Sequence, residues 1–332
     1  MGCEMTLQAL TRMLVVLIAI PSATVAGCNA EELFDGRTKA PENWARLLQR
    51  AENGDSEAEF RVALAYEVGL GVPRDYSQAA YWYKRSADRG NAGAQTNLGG
   101  LYSHGLGVQQ SDAEAIRWYM RAAAAGHPTG QNNVGFMFAE GRGVSQSNDT
   151  AVFWYRKAAD QGYAGAETNL GSMYSSGRGV PLDLTEATKW YRKAAKQGFA
   201  PAEFEIGRIY LHGTGVPRDL AESVKWFRKA SDHGLPSAQA QLGFAYSHGE
   251  GVLQDYSQAE KWYRMAAANG SPEGQHNLQV ILARRQGVQA MAGMKEEAES
   301  DASMSAPSGQ PDTSQTLPSE PSSFLGRKGE RE

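Results

Sequence analysis

The sequence predicts an all-α solenoid, a stack of antiparallel helix pairs with a 36-residue repeat, and three observations carry that prediction. A glycine recurs at Gly54, Gly90, Gly126, Gly162, Gly198, Gly234 and Gly270. A tryptophan keeps the same step at Trp82, Trp118, Trp154, Trp190, Trp226 and Trp262. Between them the apolar residues fall at helical spacing. A unit this short cannot bury its apolar face alone and must stack on its neighbours, which selects an elongated array over one globular core.

The chain begins with a segment, 1–27, that reads as a signal peptide. Its apolar stretch Met13–Ile20 sits behind Arg12 and stops at Pro21, and small residues lead on to Gly27 and Cys28. From Met13 to Gly27 the stretch is shorter than the ~20 residues a helix needs to cross a bilayer. Val25-Ala26-Gly27-Cys28 resembles the lipobox of bacterial lipoproteins. That resemblance implies cleavage before Cys28, acylation of its thiol, and an exported, lipid-anchored protein facing the cell envelope. Ordinary cleavage beside Ala26 or Ala30, leaving Cys28 incidental and the protein secreted or periplasmic, is the alternative. Met1-Gly2-Cys3-Glu4-Met5-Thr6 also fits a myristoylation pattern, but the apolar core behind it argues for export.

Residues 28–53 follow as a linker and a capping helix in which Trp44, Leu47, Leu48 and Ala51 cover the first repeat. The array occupies 54–288, with six full units opening at Gly54, Gly90, Gly126, Gly162, Gly198 and Gly234 and a degenerate seventh from Gly270. In the unit opening at Gly162, Ala166, Leu170, Gly171 and Tyr174 share one helical face. Gly177-x-Gly179-Val180 ends that helix, and Asp183 with Glu186 makes a capping-box-like start for a second. Ala187, Trp190, Tyr191, Ala194 and Ala195 line the second helix, and Gly198 closes the unit. Gly171 inside a helix costs about 1 kcal/mol relative to Ala. Its recurrence at Gly99, Gly135, Gly207 and Gly243 therefore predicts a close neighbour, the tryptophan ring or the partner helix. From Glu296 the tail, 289–332, turns to Ser, Pro, Glu and Gln, a composition that cannot support a core and predicts disorder.

Composition narrows function. Net charge is -4 with both signs mixed along the chain, so no basic stripe is expected and nucleic acid is set aside as a partner. Beyond Cys3 and Cys28 there is no thiol, which excludes a disulfide scaffold or cysteine metal site in the array. No phosphate loop, His-Glu-x-x-His, Gly-x-Ser-x-Gly or calcium loop is present, so neither an enzyme, nor a cofactor, nor a metal is expected. His104, His212 and His248 share one offset, but equivalent positions in stacked helices stand ~8–10 Å apart, too far for one metal. The tryptophans, with Tyr83, Tyr119, Tyr155, Tyr191, Phe227 and Tyr263, read as core rather than a carbohydrate-stacking ladder.

The pattern Ala-x3-Leu-Gly-x2-Tyr-x2-Gly-x-Gly-Val-x2-Asp-x3-Ala-x2-Trp-Tyr-x2-Ala-Ala-x2-Gly resembles the Sel-one-like repeat, a relative of the tetratricopeptide repeat. The resemblance implies a right-handed α-solenoid that serves as an adaptor, with its first helices lining a concave groove. It also implies a bacterial envelope scaffold holding a protein or peptide partner, or alternatively an accessory lipoprotein for exopolysaccharide export or binding. The groove candidates lie at two offsets, seven and ten residues after each opening glycine. They are Asn97, Asn133, Asn169, Gln241 and Asn277 in one row, and Phe136, Arg208 and Phe244 in the other. Amides donate and accept at once, which suits a peptide backbone. The same asparagines are equally suited to bonding neighbouring repeats together.

Overall fold

The computed structural model describes residues 40–287; the signal peptide 1–27, Cys28, the start of the linker and the tail 289–332 lie outside the described residues. The chain divides into two compact units, Met1–Ile281 and Leu282–Glu332, and 282–287 of the second are helical. Every regular element among the described residues is an α-helix.

In the first unit a lone helix, α1 (Ala40–Glu52), precedes six helix pairs. The pairs are α2 (Ser56–Val68) with α3 (Tyr76–Asp88), α4 (Ala92–His104) with α5 (Asp112–Ala124), and α6 (Pro128–Glu140) with α7 (Asn148–Ala159). They continue as α8 (Ala164–Ser176) with α9 (Leu184–Lys196), α10 (Ala200–His212) with α11 (Leu220–Asp232), and α12 (Pro236–His248) with α13 (Tyr256–Ala268). A last helix, α14, covers 272–281 of this unit. Each helix from α1 to α13 packs on its neighbours in the chain, and α4 also touches α6, first helix to first helix. This is the stacked helix-pair solenoid that the 36-residue period predicts.

Local chemistry sets the element ends. Asp75, Ser111, Ser147, Asp183, Asp219 and Asp255 each cap a second helix by accepting backbone N–H bonds through the side chain. Each first helix from α2 to α12 ends on a glycine in the left-handed region, such as Gly177 at φ 66°. The second glycine of that loop is a spacing device. A Cβ at Gly107, Gly143, Gly179 or Gly251 would collide with the backbone opening the preceding unit's second helix, at Tyr76, Asp112, Asn148 and Leu220.

The glycine inside each first helix is explained by its partner helix, but the ring above it belongs to tyrosine or phenylalanine, not tryptophan. A Cβ on Gly171 would stand 2.9 Å from the Tyr191 ring and 3.2 Å from the Ala187 carbonyl. Tyr119, Tyr155, Phe227 and Tyr263 cover Gly99, Gly135, Gly207 and Gly243 in the same way. These rings are almost wholly buried. Tryptophan seals the junction between units instead. Trp118 joins the same buried core as Trp82 and Ala80 of the preceding unit, and Trp190 the same core as Val152. Trp82, Trp118, Trp190 and Trp262 are buried, whereas Trp154 and Trp226 keep part of the ring open.

Candidate functional site

Four of the six first helices, α4, α6, α8 and α12, carry amides and little charge, whereas α2 and α10 carry Glu and Arg and no amide. The helices α4 and α12 contain no Asp, Glu, Lys or Arg at all. With the second-helix rings laid against the first-helix glycines, the predicted amide row lies beside buried tyrosine hydroxyls in every unit but the one that has Phe227.

Asn97 Nδ2 donates to the Tyr83 hydroxyl of the preceding unit at 2.9 Å. That same hydroxyl donates to Glu67, whose carboxyl is pushed up by burial, with the bond from Tyr83 opposing. Asn133 accepts from Asn132 at 3.4 Å, and Asn169 Nδ2 donates to Asn132 Oδ1 at 2.9 Å across the unit boundary. Burial holds the Tyr119, Tyr155 and Tyr191 hydroxyls protonated far above the usual tyrosine range, so they remain neutral hydrogen-bonding groups. Asn97 and Asn169 thus each commit the amide nitrogen to the scaffold, and their Oδ1 atoms accept no bond among the described residues. Gln241 and Asn277 are half-buried.

The second predicted row is uneven. Arg208 donates to both carboxylate oxygens of Glu205 at 3.3 Å, and Glu205 is pushed up by burial against the pull of that arginine. Phe244 is 39 % exposed and stacks on His248 with ring centres 4.0 Å apart. Phe136, at the same offset, is 8 % exposed and lies in the core under the Arg142 guanidinium. Of the two phenylalanines, Phe244 alone presents a ring outward.

The three histidines of the shared offset serve helix ends. His104 and His248 face the Gly100 and Phe244 carbonyls through Nδ1, and burial beside Arg208 and Arg218 lowers the His212 imidazole. Among the described residues, no group of three His, Cys, Asp or Glu is placed to hold a metal. No helix among them is long and apolar enough to cross a membrane.

A polar row went unread in the sequence. Five residues after each opening glycine stand Glu59, Gln95, Gln131, Glu167, Glu203 and Gln239, all buried. Most clasp the end of the second helix in their own unit, thirty residues on. Gln161 donates to Gln131 and Gln197 to Glu167 at 2.8 Å, His233 meets Glu203 at 2.8 Å, and Asn269 donates to Gln239 at 2.9 Å. The signal was the constancy of Glu or Gln at a position facing the core. Both signs also mix on the second helices, as in Lys189–Glu186 and Lys225–Glu222, but α7, α9 and α11 carry in addition adjacent arginines and lysines that join no ion pair among the described residues.

The repeat model described as "Sel1 repeat" matches six consecutive segments, 56–91, 92–127, 128–163, 164–199, 200–235 and 236–271. A Sel1 repeat protein from Oxalobacter formigenes is 31% identical, with 72% of this chain and 99% of that one covered and a TM-score of 0.65. A protective antigen of uropathogenic Escherichia coli, c5321, is 35% identical over 75% of this chain with a TM-score of 0.60. The present chain spans about half of that antigen, 54% of its length. An immunity protein from Pseudomonas aeruginosa, Pa5087, shares the fold at 21% identity and a TM-score of 0.50, over 66% of this chain and 84% of its own. No curated protein matches the chain.

Proposed function

The chain belongs to the Sel1 repeat family, and from that membership we propose that it is an envelope scaffold whose first-helix face holds an extended peptide or a domain face of a protein partner. Arrays of this kind are non-catalytic protein-interaction scaffolds, and this one supplies recognition through shape and hydrogen bonds rather than chemistry. The observation that carries the reading is the half-committed amide row. Asn97 and Asn169 fix their nitrogens inward and keep an acceptor outward, while Phe244 offers an exposed ring on the same face. An extended guest running across the units presents backbone N–H groups to such acceptors. The lipobox-like Cys28 supports placement at a membrane surface through an acyl anchor.

The groove is tested by placing a photo-crosslinking amino acid at Phe244 and at Gln241 in intact bacterial cells. Discrete adducts with one protein are expected. The double variant Gln241→Ala with Phe244→Ala should lower capture without changing the melting curve; undiminished capture moves the site off this face. For the anchor, Cys28→Ala should abolish acyl labelling and release the protein from membranes, and persistent labelling excludes Cys28 as the acylated residue.

A further inference from the structure

The second helices carry a surface that the groove reading does not use. On α7, α9 and α11 two cations stand side by side in each unit, Arg156 with Lys157, Arg192 with Lys193, and Arg228 with Lys229. Each arginine latches onto a tyrosine hydroxyl of the next unit, Tyr174 at 2.6 Å, Tyr210 at 3.3 Å and Tyr246 at 2.5 Å. Each lysine lies over the tryptophan of its own helix, Lys157 at 5.1 Å, Lys193 at 3.7 Å and Lys229 at 4.1 Å from the ring centre. All six are exposed, and none forms an ion pair among the described residues. Stacked units therefore repeat a pair of cations outside any ion pair at about 10 Å steps, with Glu167 acting on Lys193 only at longer range.

At one junction the latch is replaced on both sides at once. The helix α5 places Met120 where α7 has Arg156, and α6 places Phe138 where α8 has Tyr174. With neither guanidinium nor hydroxyl present, an open apolar notch forms between Ile116, Met120, Phe138 and Val144, rimmed by Arg117 and Arg121. The apolar notch and the cation ladder occupy the same run of second helices, one beside the other.

We propose that this face is a second docking surface, which takes an extended acidic peptide and seats one of its aliphatic side chains in the notch. Charge complementarity sets the sign of the partner. The step sets its form, because a polyproline II helix rises ~3.1 Å per residue and turns once in about three residues, so every third side chain faces the array and meets the next Arg–Lys pair. Arginine binds carboxylates in paired, charge-assisted hydrogen bonds. The indole faces are already covered by lysine, so nucleobases and sugar rings find no open stacking platform there. A peptide needs none.

The test uses the full chain and a fluorescein-labelled peptide of roughly twelve residues, with Asp or Glu at every third position and one leucine near one end. Anisotropy should show binding that weakens about tenfold as NaCl rises from ~0.05 to ~0.3 M. Replacing the leucine by serine should weaken it about tenfold again. Arg192→Glu with Lys193→Glu should reduce binding at least tenfold. Met120→Arg with Phe138→Tyr rebuilds the latch of the neighbouring junctions, and should erase the difference between the leucine and serine peptides. Gln241→Ala with Phe244→Ala should leave all of this unchanged, which separates this surface from the first-helix face. Absence of binding, equal binding of the two peptides by the unaltered chain, or equally tight capture of an oligonucleotide of matching charge would overturn the proposal.

Discussion

A single missing carbon at Gly207 fixes how close two helices come. A Cβ there would stand 2.6 Å from the Phe227 ring, and the ring is buried and cannot swing away. Gly207→Ala should therefore lose about 1–3 kcal/mol by overpacking, despite the better helix propensity of alanine; an unchanged or raised urea midpoint would show that the ring yields. Glu67 gives a pH test. Burial raises its carboxyl, so its contribution to stability is complete below the pKa of the unfolded chain and falls as pH climbs through the higher value in the fold. Glu67→Gln, neutral throughout and still able to accept from Tyr83, should gain on the unaltered protein between pH 4 and 7, and a constant difference would refute the assignment. At this scale sequence was partly legible. The close neighbour of each helical glycine followed from its helix cost, but Tyr191 and Trp190 are adjacent aromatics, and which of them turns inward depends on helix rotation. Phe136 and Phe244 share an offset yet differ in exposure because Arg142 lies across Phe136, a contact made by a residue in the following loop.

Among elements, the second helices announced their own beginnings because their caps are polar side chains with a backbone to satisfy. Asp219 Oδ1 accepts the Glu222 N–H at 2.9 Å, and Asp219→Ala should cost about 1 kcal/mol, read from thermal melts; no loss would mean that water replaces the cap. The later first helices gave no such sign. Tyr163, Phe199 and Leu235 stand at the cap position with no side-chain bond, and those helices hold through burial rather than through end chemistry. The buried Glu and Gln row escaped notice for a related reason. A polar residue between apolar ones reads as surface until the partner thirty residues away is brought to it, as His233 is brought to Glu203.

Across the array, equivalent junctions make the units exchangeable. Removing 128–163 joins α5 to α8 in place of α6, with Gly165 and Ala166 where Thr129 and Gly130 stood. Stability of a stacked array is close to a sum over units and their interfaces, so the shortened protein should keep its helical circular dichroism and lose melting temperature; collapse of the helical signal would show that this junction is irreplaceable. It should also lose the preference for leucine over serine in an acidic peptide, because Phe138 and Val144 leave with the deleted unit. The period was legible from glycine and tryptophan alone. The unpaired cations at Arg156, Arg192 and Arg228 with their neighbouring lysines were not, because a charge summed over the chain does not say which basic residues find an acidic partner.

The second loop glycine presses main chain against main chain, at Gly107 on Tyr76 and Gly251 on Leu220. No exchange of outward side chains alters that seat, so the array behaves as a ruler with fixed graduations. Its surface lettering can be rewritten for a new guest while the distances between anchor points stay where they were.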